Sequence, residues 1–272
     1  LPLFNSFTQK YNILNNLLVQ SALHDIINFR VAASTVGPHG YLSLPNLVRM
    51  LQEAAMQNTV RLKISSPEII EAYGCSWVLR RQRIDVSRWP VIGEELSVIT
   101  APSGFARRLQ TFRDFHLIDT KGQTVITAAT QWLLMDVSTR RLKPIPPAIA
   151  ALEADLAPAA AHLDRPTEKI PPPAQPHLSK KFEVAFNQLD FNDHLTNPVF
   201  PELMLEPLGH EFLSGLLPVS ADIMFHREAR YGDKIEAVAG IIDHPLHYAH
   251  ALLRDGKTLA TMHTRWQGIK GK

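Results

Sequence analysis

Asp190, Asn192 and His194 alternate within one short stretch of this 272-residue chain. In extended backbone alternate side chains share a face, so the spacing predicts a carboxylate, an amide and an imidazole presented together. The set suits hydrolysis of an acyl group. Imidazole or carboxylate can take a proton from water. Backbone N–H groups at the start of a helix near Pro198 can donate to the carbonyl oxygen, helped by the helix dipole. The competing reading makes Asp190 and Asn192 turn and cap residues, which both types favour, with His194 merely packed.

Other chemistries find less support. His244, His247 and His250 fall three apart, a spacing that one helix face could offer to a metal. Pro245 opposes a helix there, no carboxylate or cysteine cluster accompanies them, and no metal is expected. The chain has no glycine-rich phosphate loop and no Gly-x-Ser-x-Gly elbow, so no cofactor is expected either. Cys75 is the sole cysteine. It excludes an intrachain disulfide, fits a reducing compartment, and reads as a small buried hydrophobe.

Composition bounds the rest. At 45% hydrophobic and 20% charged the chain is globular, not disordered or collagenous. Lys and Arg number 28 against 26 Asp and Glu, far from the excess a nucleic-acid binder carries. Residues 1–150 hold 16 Lys/Arg and 10 Asp/Glu, whereas residues 151–272 hold 12 and 16. A basic face on the first half would steer an acidic partner, or is simply a set of solvated strand faces. No apolar run approaches the roughly 20 residues that span a bilayer, so no membrane insertion is predicted. Residues 1–23 lack the basic start and unbroken apolar run of a signal peptide. Ile13, Leu14, Leu17, Leu18 and Ala22 predict a small packed helix in this extension, and the cytoplasm of a bacterium is the expected location.

The elements that must position the polar triplet occur twice. Leu42-Ser43-Leu44-Pro45 leads into a periodic stretch over 46–63, and Leu195-Thr196-Asn197-Pro198 into another over 199–214. Each Pro suits a first helical turn, where the missing N–H costs nothing. Leu47, Met50, Leu51, Ala54 and Ala55 form one apolar stripe, with Asn58 its single polar member. Strands follow each helix: 77–86 and 222–225 lead through Gly93 and Gly232 to 95–99 and 234–238. Hairpins then turn at Lys121-Gly122 and at Asp255-Gly256, the latter a strong hairpin signal. Thr130-Gln131-Trp132 and Thr264-Arg265-Trp266 sit at matching places. Between the copies, the Ala- and Pro-rich residues 151–178 read as a linker. The predicted organisation is an extension (1–23), one module (24–150), the linker (151–178) and a second module (179–272). The predicted fold class is α+β, a tandem (double) hotdog, each module a curled antiparallel sheet around a central helix.

The chain resembles the plant and bacterial acyl-acyl-carrier-protein thioesterases. The resemblance rests on Met50-Leu51-Gln52-Glu53-Ala54-Ala55, on residues 83–93 with Trp89-Pro90, on residues 104–114 and 132–146 with Thr139-Arg140-Arg141-Leu142, and on residues 190–197. It implies hydrolysis of fatty acyl-acyl carrier protein in the second module, with the first module housing the acyl chain. Leu47, Met50, Leu51 and Ala54 are candidates for that lining, although such stripes are more often core. The resemblance adds Glu228 to the catalytic group; without it, Glu228 would be a surface ion pair with Arg227 or Arg230. Plant members commonly carry Cys after that Glu, and this chain has Ala229, so water and not a thiol is the expected nucleophile. Asn192 would position thioester or water, His194 or Glu228 would activate the water, and Asp190 would orient the loop. The first copy has His39-Gly40-Tyr41 where the second has Asn192-Asp193-His194, and its site reads as vacant. The implied partner is the acidic acyl carrier protein, with a second copy of this chain also allowed. An acyl-CoA thioesterase, a hydroxyacyl dehydratase and a non-catalytic acyl-carrier binder are the alternatives.

Overall fold

The computed structural model describes residues 21–269, so the helix expected over residues 13–18 lies outside them. The chain divides into two compact units that are not contiguous in sequence. The first takes the chain up to Val31, then Met50–Arg80 and Gly93–Pro166; the second takes Ala32–Arg49, Arg81–Ile92 and the chain from Thr167.

In the first unit, β1 (Asp25–Arg30) pairs antiparallel with β3 (Glu95–Ala106), β3 with β4 (Gln110–Asp119), and β4 with β5 (Thr124–Asp136). A short β6 (Leu142–Lys143) adds to β5. The β4–β5 turn falls at Lys121-Gly122 as its sequence predicts: Gly122 takes φ 76°, and Asp119 Oδ1 accepts the N–H groups of Lys121 and Gln123. Helix α1 (Leu44–Arg61) enters this unit at Met50 and buries the predicted stripe. Its polar member is buried too. Asn58 Nδ2 donates to Leu23 O (2.9 Å) and Asp25 Oδ2 (2.7 Å), while its Oδ1 accepts from Arg113 Nη1 (2.7 Å). Burial pushes the Arg113 guanidinium down to about 10, opposed by the charges of Asp25 and Asp114. Every atom of the amide is used, which is why a polar residue survives on an apolar face. Helix α2 (Ser66–Tyr73) starts at a Ser65/Glu68 capping box and stops at Gly74, φ 64°. It packs Ile69 with Cys75, Leu134, Ile145 and with Ile149 of α3 (Pro147–Ala150). The cysteine is buried in this core, its thiol donating to Tyr73 O (3.3 Å).

Residues 151–166 do not behave as a free tether. Ala157 and Ala161 pack on Ile99, the Leu163 N–H donates to Asp114 Oδ2 (2.9 Å), and Arg165 pairs with Asp114 (3.3 Å) above the Phe112 ring. Burial still pushes the Asp114 carboxyl up. Small alanines let an extended strap lie close to a sheet, so the composition that resembles a linker also suits a cover.

In the second unit, Arg81–Asp85 of β2 (Cys75–Val86) pair with β8 (Leu216–Phe225). The order continues β8, β11 (Lys257–Gly268), β10 (His247–Arg254), β9 (Lys234–Ile241) and β7 (Leu178–Glu183), all antiparallel. The second helix, expected as one piece over 199–214, is broken. It comprises α4 (Val199–Leu205), a 3-10 turn (Glu206–Leu208) and α5 (Gly209–Gly215). Pro207 removes a backbone donor and Gly209 takes φ 81°, both incompatible with a continuing helix. Helix α4 buries Phe200 edge-on to Phe225 (5.3 Å), and Phe212 meets Tyr248 and Trp266 edge-on at 5.3 and 5.0 Å. His250 is fully buried, bonded to Met204 O (3.0 Å) and Thr264 Oγ1 (2.8 Å), and burial pushes its imidazole down to about 3. The repeated Thr-x-Trp motif has one structure in both copies: Trp132 Nε1 donates to Thr130 Oγ1 (2.9 Å), and Trp266 Nε1 to Thr264 Oγ1 (2.7 Å). Among the described residues no helix is long and apolar enough to cross a membrane.

Candidate active site

The segment after β7 is a turn, not the extended run that the alternating residues suggested. A 3-10 turn (Phe186–Gln188) precedes an isolated bridge between Leu189 and Leu195, and residues 190–194 reverse between them. The Asp190 N–H donates to His194 O (2.8 Å) and the Asp193 N–H to Asp190 O (3.0 Å), with Asp193 at φ 62°. Asp190 Oδ1 accepts the N–H groups of Asn192 (2.8 Å) and His194 (3.2 Å). Asp190 therefore shapes the loop through backbone groups. Asn192 lies exposed on the turn.

Glu228 lies beyond the end of β8 at Phe225, in irregular backbone and not on a strand. The Arg227 and His226 N–H groups donate to Leu259 O, and Ala229, fully buried, accepts at its carbonyl from the Leu195 N–H (2.8 Å). That bond brings the two loops together. His194 Nε2 then stands 3.1 Å from Glu228 Oε2, with 16% and 37% of the side chains exposed. Arg230 Nη2 lies 3.3 Å from the same nitrogen. One ring nitrogen cannot donate to a carboxylate and accept from a guanidinium at once. With the proton on Nε2, the imidazole donates to Glu228 and Arg230 is a charge neighbour. With the proton on Nδ1, Nε2 accepts from Arg230. Sequence reasoning named Arg230 only as an ion-pair alternative for Glu228; its place in His226-Arg227-Glu228-Ala229-Arg230, two residues beyond the carboxylate, was the available signal.

The expected donors at the start of α4 are already in use. The Val199 N–H donates to Thr196 O (3.0 Å) and the Phe200 N–H to Asn197 O (3.2 Å), and Pro198 has no N–H. The helix start near Pro198 thus presents no free oxyanion donor at these three positions.

The first copy repeats four backbone bonds of this loop. The Gly37 N–H donates to Tyr41 O, the Gly40 N–H to Gly37 O, the Leu42 N–H to Pro90 O and the Ser43 N–H to Thr35 O. These match the bonds of Asp190, Asp193, Leu195 and Thr196 in the second copy, and Gly40 takes the positive φ of Asp193. The chemistry does not repeat: Gly37 replaces Asp190, Tyr41 replaces His194, and Trp89 precedes Pro90 where Glu228 precedes Ala229. Both loops belong to the second unit. The histidines considered for a metal are separately engaged: His247 with Asp243 (2.7 Å), His250 in the core, His244 with the Leu246 N–H. Among the described residues no group of three or more His, Cys, Asp or Glu gathers as for a metal.

Comparison with known proteins gives this arrangement a family. Residues 26–152 match the acyl-ACP thioesterase N-terminal domain and residues 173–268 the acyl-ACP thioesterase C-terminal domain. A chloroplastic acyl-acyl-carrier-protein hydrolase, FATB2, of Cuphea viscosissima is 25% identical over 93% of this chain and 66% of its own length. The chain thus spans about two thirds of the curated relatives it matches. Among solved structures, the 12:0-ACP thioesterase from Umbellularia californica superposes with a TM-score of 0.81 at 18% identity, over 91% of this chain and 98% of its own. An acyl-ACP thioesterase from Bacteroides thetaiotaomicron gives 0.80 at 19%, over 90% and 98%. The fold is the tandem hotdog, and with both family domains matched in order along its length, the chain belongs to the acyl-ACP thioesterase family.

Proposed function

We propose that this protein hydrolyses the thioester between a fatty acyl group and acyl carrier protein, releasing the free acid. The observation that carries the reading is the His194 Nε2–Glu228 Oε2 contact at 3.1 Å, held on two loops laced together in a member of this family. Glu228 keeps the more solvent-facing side chain of the pair, so water reaches it. Its carboxylate, hydrogen-bonded by His194, takes one proton from that water as the oxygen attacks the thioester carbon. The carbon–sulfur bond then breaks, the departing thiolate receives the proton, and the acid leaves. Asn192, exposed on the turn, orients the carbonyl, and Asp190 holds the backbone that presents both. All four side chains belong to one unit of one chain, so the site needs no second copy. In this reading residues 179–272 are the catalytic module and residues 24–150 receive the acyl chain. The printed names of the relatives favour the carrier-protein ester over the CoA ester, and the excess of Arg and Lys in residues 1–150 suits an acidic carrier. The sole cysteine, a buried free thiol at Cys75, suits a reducing cytoplasm.

The test is release of free acid from matched acyl-carrier-protein and acyl-CoA esters by the wild type, His194→Ala and Glu228→Gln. Turnover of the carrier ester should fall ~100-fold or more in each variant, the scale of a lost acid–base group. Unchanged rates in both variants would remove the site, and faster turnover of the CoA ester would reassign the substrate.

A further inference from the structure

A second polar site lies in the second unit, between its sheet and residues 168–170. The residues that frame it alternate along their strands. Arg83 on β2 sits opposite Asp222 on β8, and Asp222 opposite His263 on β11; one step along, Arg265 on β11 sits opposite His247 on β10. With Ser220, these side chains floor a cavity of about 170 Å³, and Glu168, Lys169 and Ile170 roof it.

The charge in this cavity is only partly spent. Arg81, almost fully buried, grips Asp222 with two nitrogens at 2.9 and 2.7 Å and donates to Glu168 O at 2.7 Å. Arg83 pairs with Asp85 at 3.0 Å. Asp222, the carboxylate of the floor, is therefore already neutralised from within the sheet. The side chains of Lys169 and Arg265 make no hydrogen bond or close ion pair among the described residues, although the Arg265 charge is felt by the Asp243 carboxylate. His263 and His247 stand edge to face at 6.1 Å, each with one nitrogen committed, to Pro171 O and to Asp243. The first unit shows the contrast. There the strap supplies Arg165 directly to the sheet carboxylate Asp114 and alanines fill the remaining space. Here the strap brings a backbone carbonyl, a carboxylate (Glu168, whose charge acts on Arg83) and a further cation, and the space stays open.

We propose that this cavity binds a phosphate group. An ammonium from the roof and a guanidinium with two imidazoles from the floor converge from different directions. A tetrahedral dianion can answer all of them, whereas a planar carboxylate offers two oxygens in one plane. Burial, and the neighbouring charges of His247 and Arg81, hold His263 below its ordinary range, opposed by Pro171 O and Asp222. An anion in the cavity offsets that cost and draws a proton onto the ring.

Isothermal titration of the full chain with inorganic phosphate, pyrophosphate and AMP reads the site. One saturable site per chain is expected, and Arg265→Ala and Lys169→Ala should each weaken it ~10-fold, the scale of one charge-assisted contact. Phosphate or pyrophosphate binding alone identifies a free anion as the ligand; tighter binding of AMP identifies a phosphate ester. Arg265 is exposed, so its loss leaves folding and thioester turnover in place, and the result stands apart from that of the His194 and Glu228 variants. No saturable heat with any of the three, or equal affinity in the Lys169→Ala/Arg265→Ala double variant, overturns the assignment.

Discussion

Asp190 acts on the candidate site through two backbone N–H groups, and that sets what its substitution does. An asparagine keeps a side-chain oxygen able to accept both bonds; an alanine keeps none. Asp190→Asn should therefore retain most thioester turnover, while Asp190→Ala should lose ~10-fold or more and lower the thermal midpoint as the Asn192 and His194 amides lose their partner. Steady-state kinetics beside a melt separates this from a direct role in proton transfer, in which both variants would fail equally. At this scale the sequence was informative about residue types and poor about backbone. Spacing by twos suggested one face of a strand, but the same spacing serves a turn in which a side-chain oxygen caps the next amides. The His194–Glu228 pairing was not visible in the 33 residues between them, because it depends on long-range contact between two loops, the Leu195–Ala229 backbone bond among them.

The elements follow from pattern wherever local rules suffice. Hairpin turns fell at Lys121-Gly122 and Asp255-Gly256, since few residues tolerate the positive φ needed there. The stripe of α1 was legible to its polar member. The break between α4 and α5 was readable in Pro207 and Gly209 but was outweighed by the apolar periodicity around them. The partners of buried polar groups were not legible, being long-range: His250 reaches back to Met204 O across 46 residues. These groups give the fold a pH dependence. Burial holds His250 at about 3 and His116 at about 4, whereas in the unfolded chain each titrates near 6.5. The unfolded state thus binds more protons between those values, so stability is complete above about pH 6.5 and falls as pH drops below it, by ~1.4 kcal/mol per pH unit for each histidine. Urea midpoints measured between pH 7 and pH 5 should show that decline, and His250→Phe should show a shallower one.

For the whole molecule, contiguous modules are not the compact units. Strand β2 gives Arg81–Asp85 to β8, and the loop around His39 folds with the second unit. A fragment beginning at Thr167 lacks both. It leaves one side of β8 unpaired and Asp222 without its buried Arg81, a combination that invites aggregation. Expressed alone, residues 167–272 should fail to give a monomeric, cooperatively unfolding species by gel filtration and calorimetry. A soluble monomer with a sharp transition would show that the exchanged segments are dispensable.

That interleaving has a practical corollary for building chimaeras with relatives. A crossover placed in the alanine-rich strap looks harmless on paper, yet it would marry a foreign Ala32–Arg49 and Arg81–Ile92 to the resident candidate-site loops. Recombinants that inherit those two cassettes together with the chain from Thr167 onward, joined after Val31, Arg49, Arg80, Ile92 and Pro166, keep each folded body of single parentage.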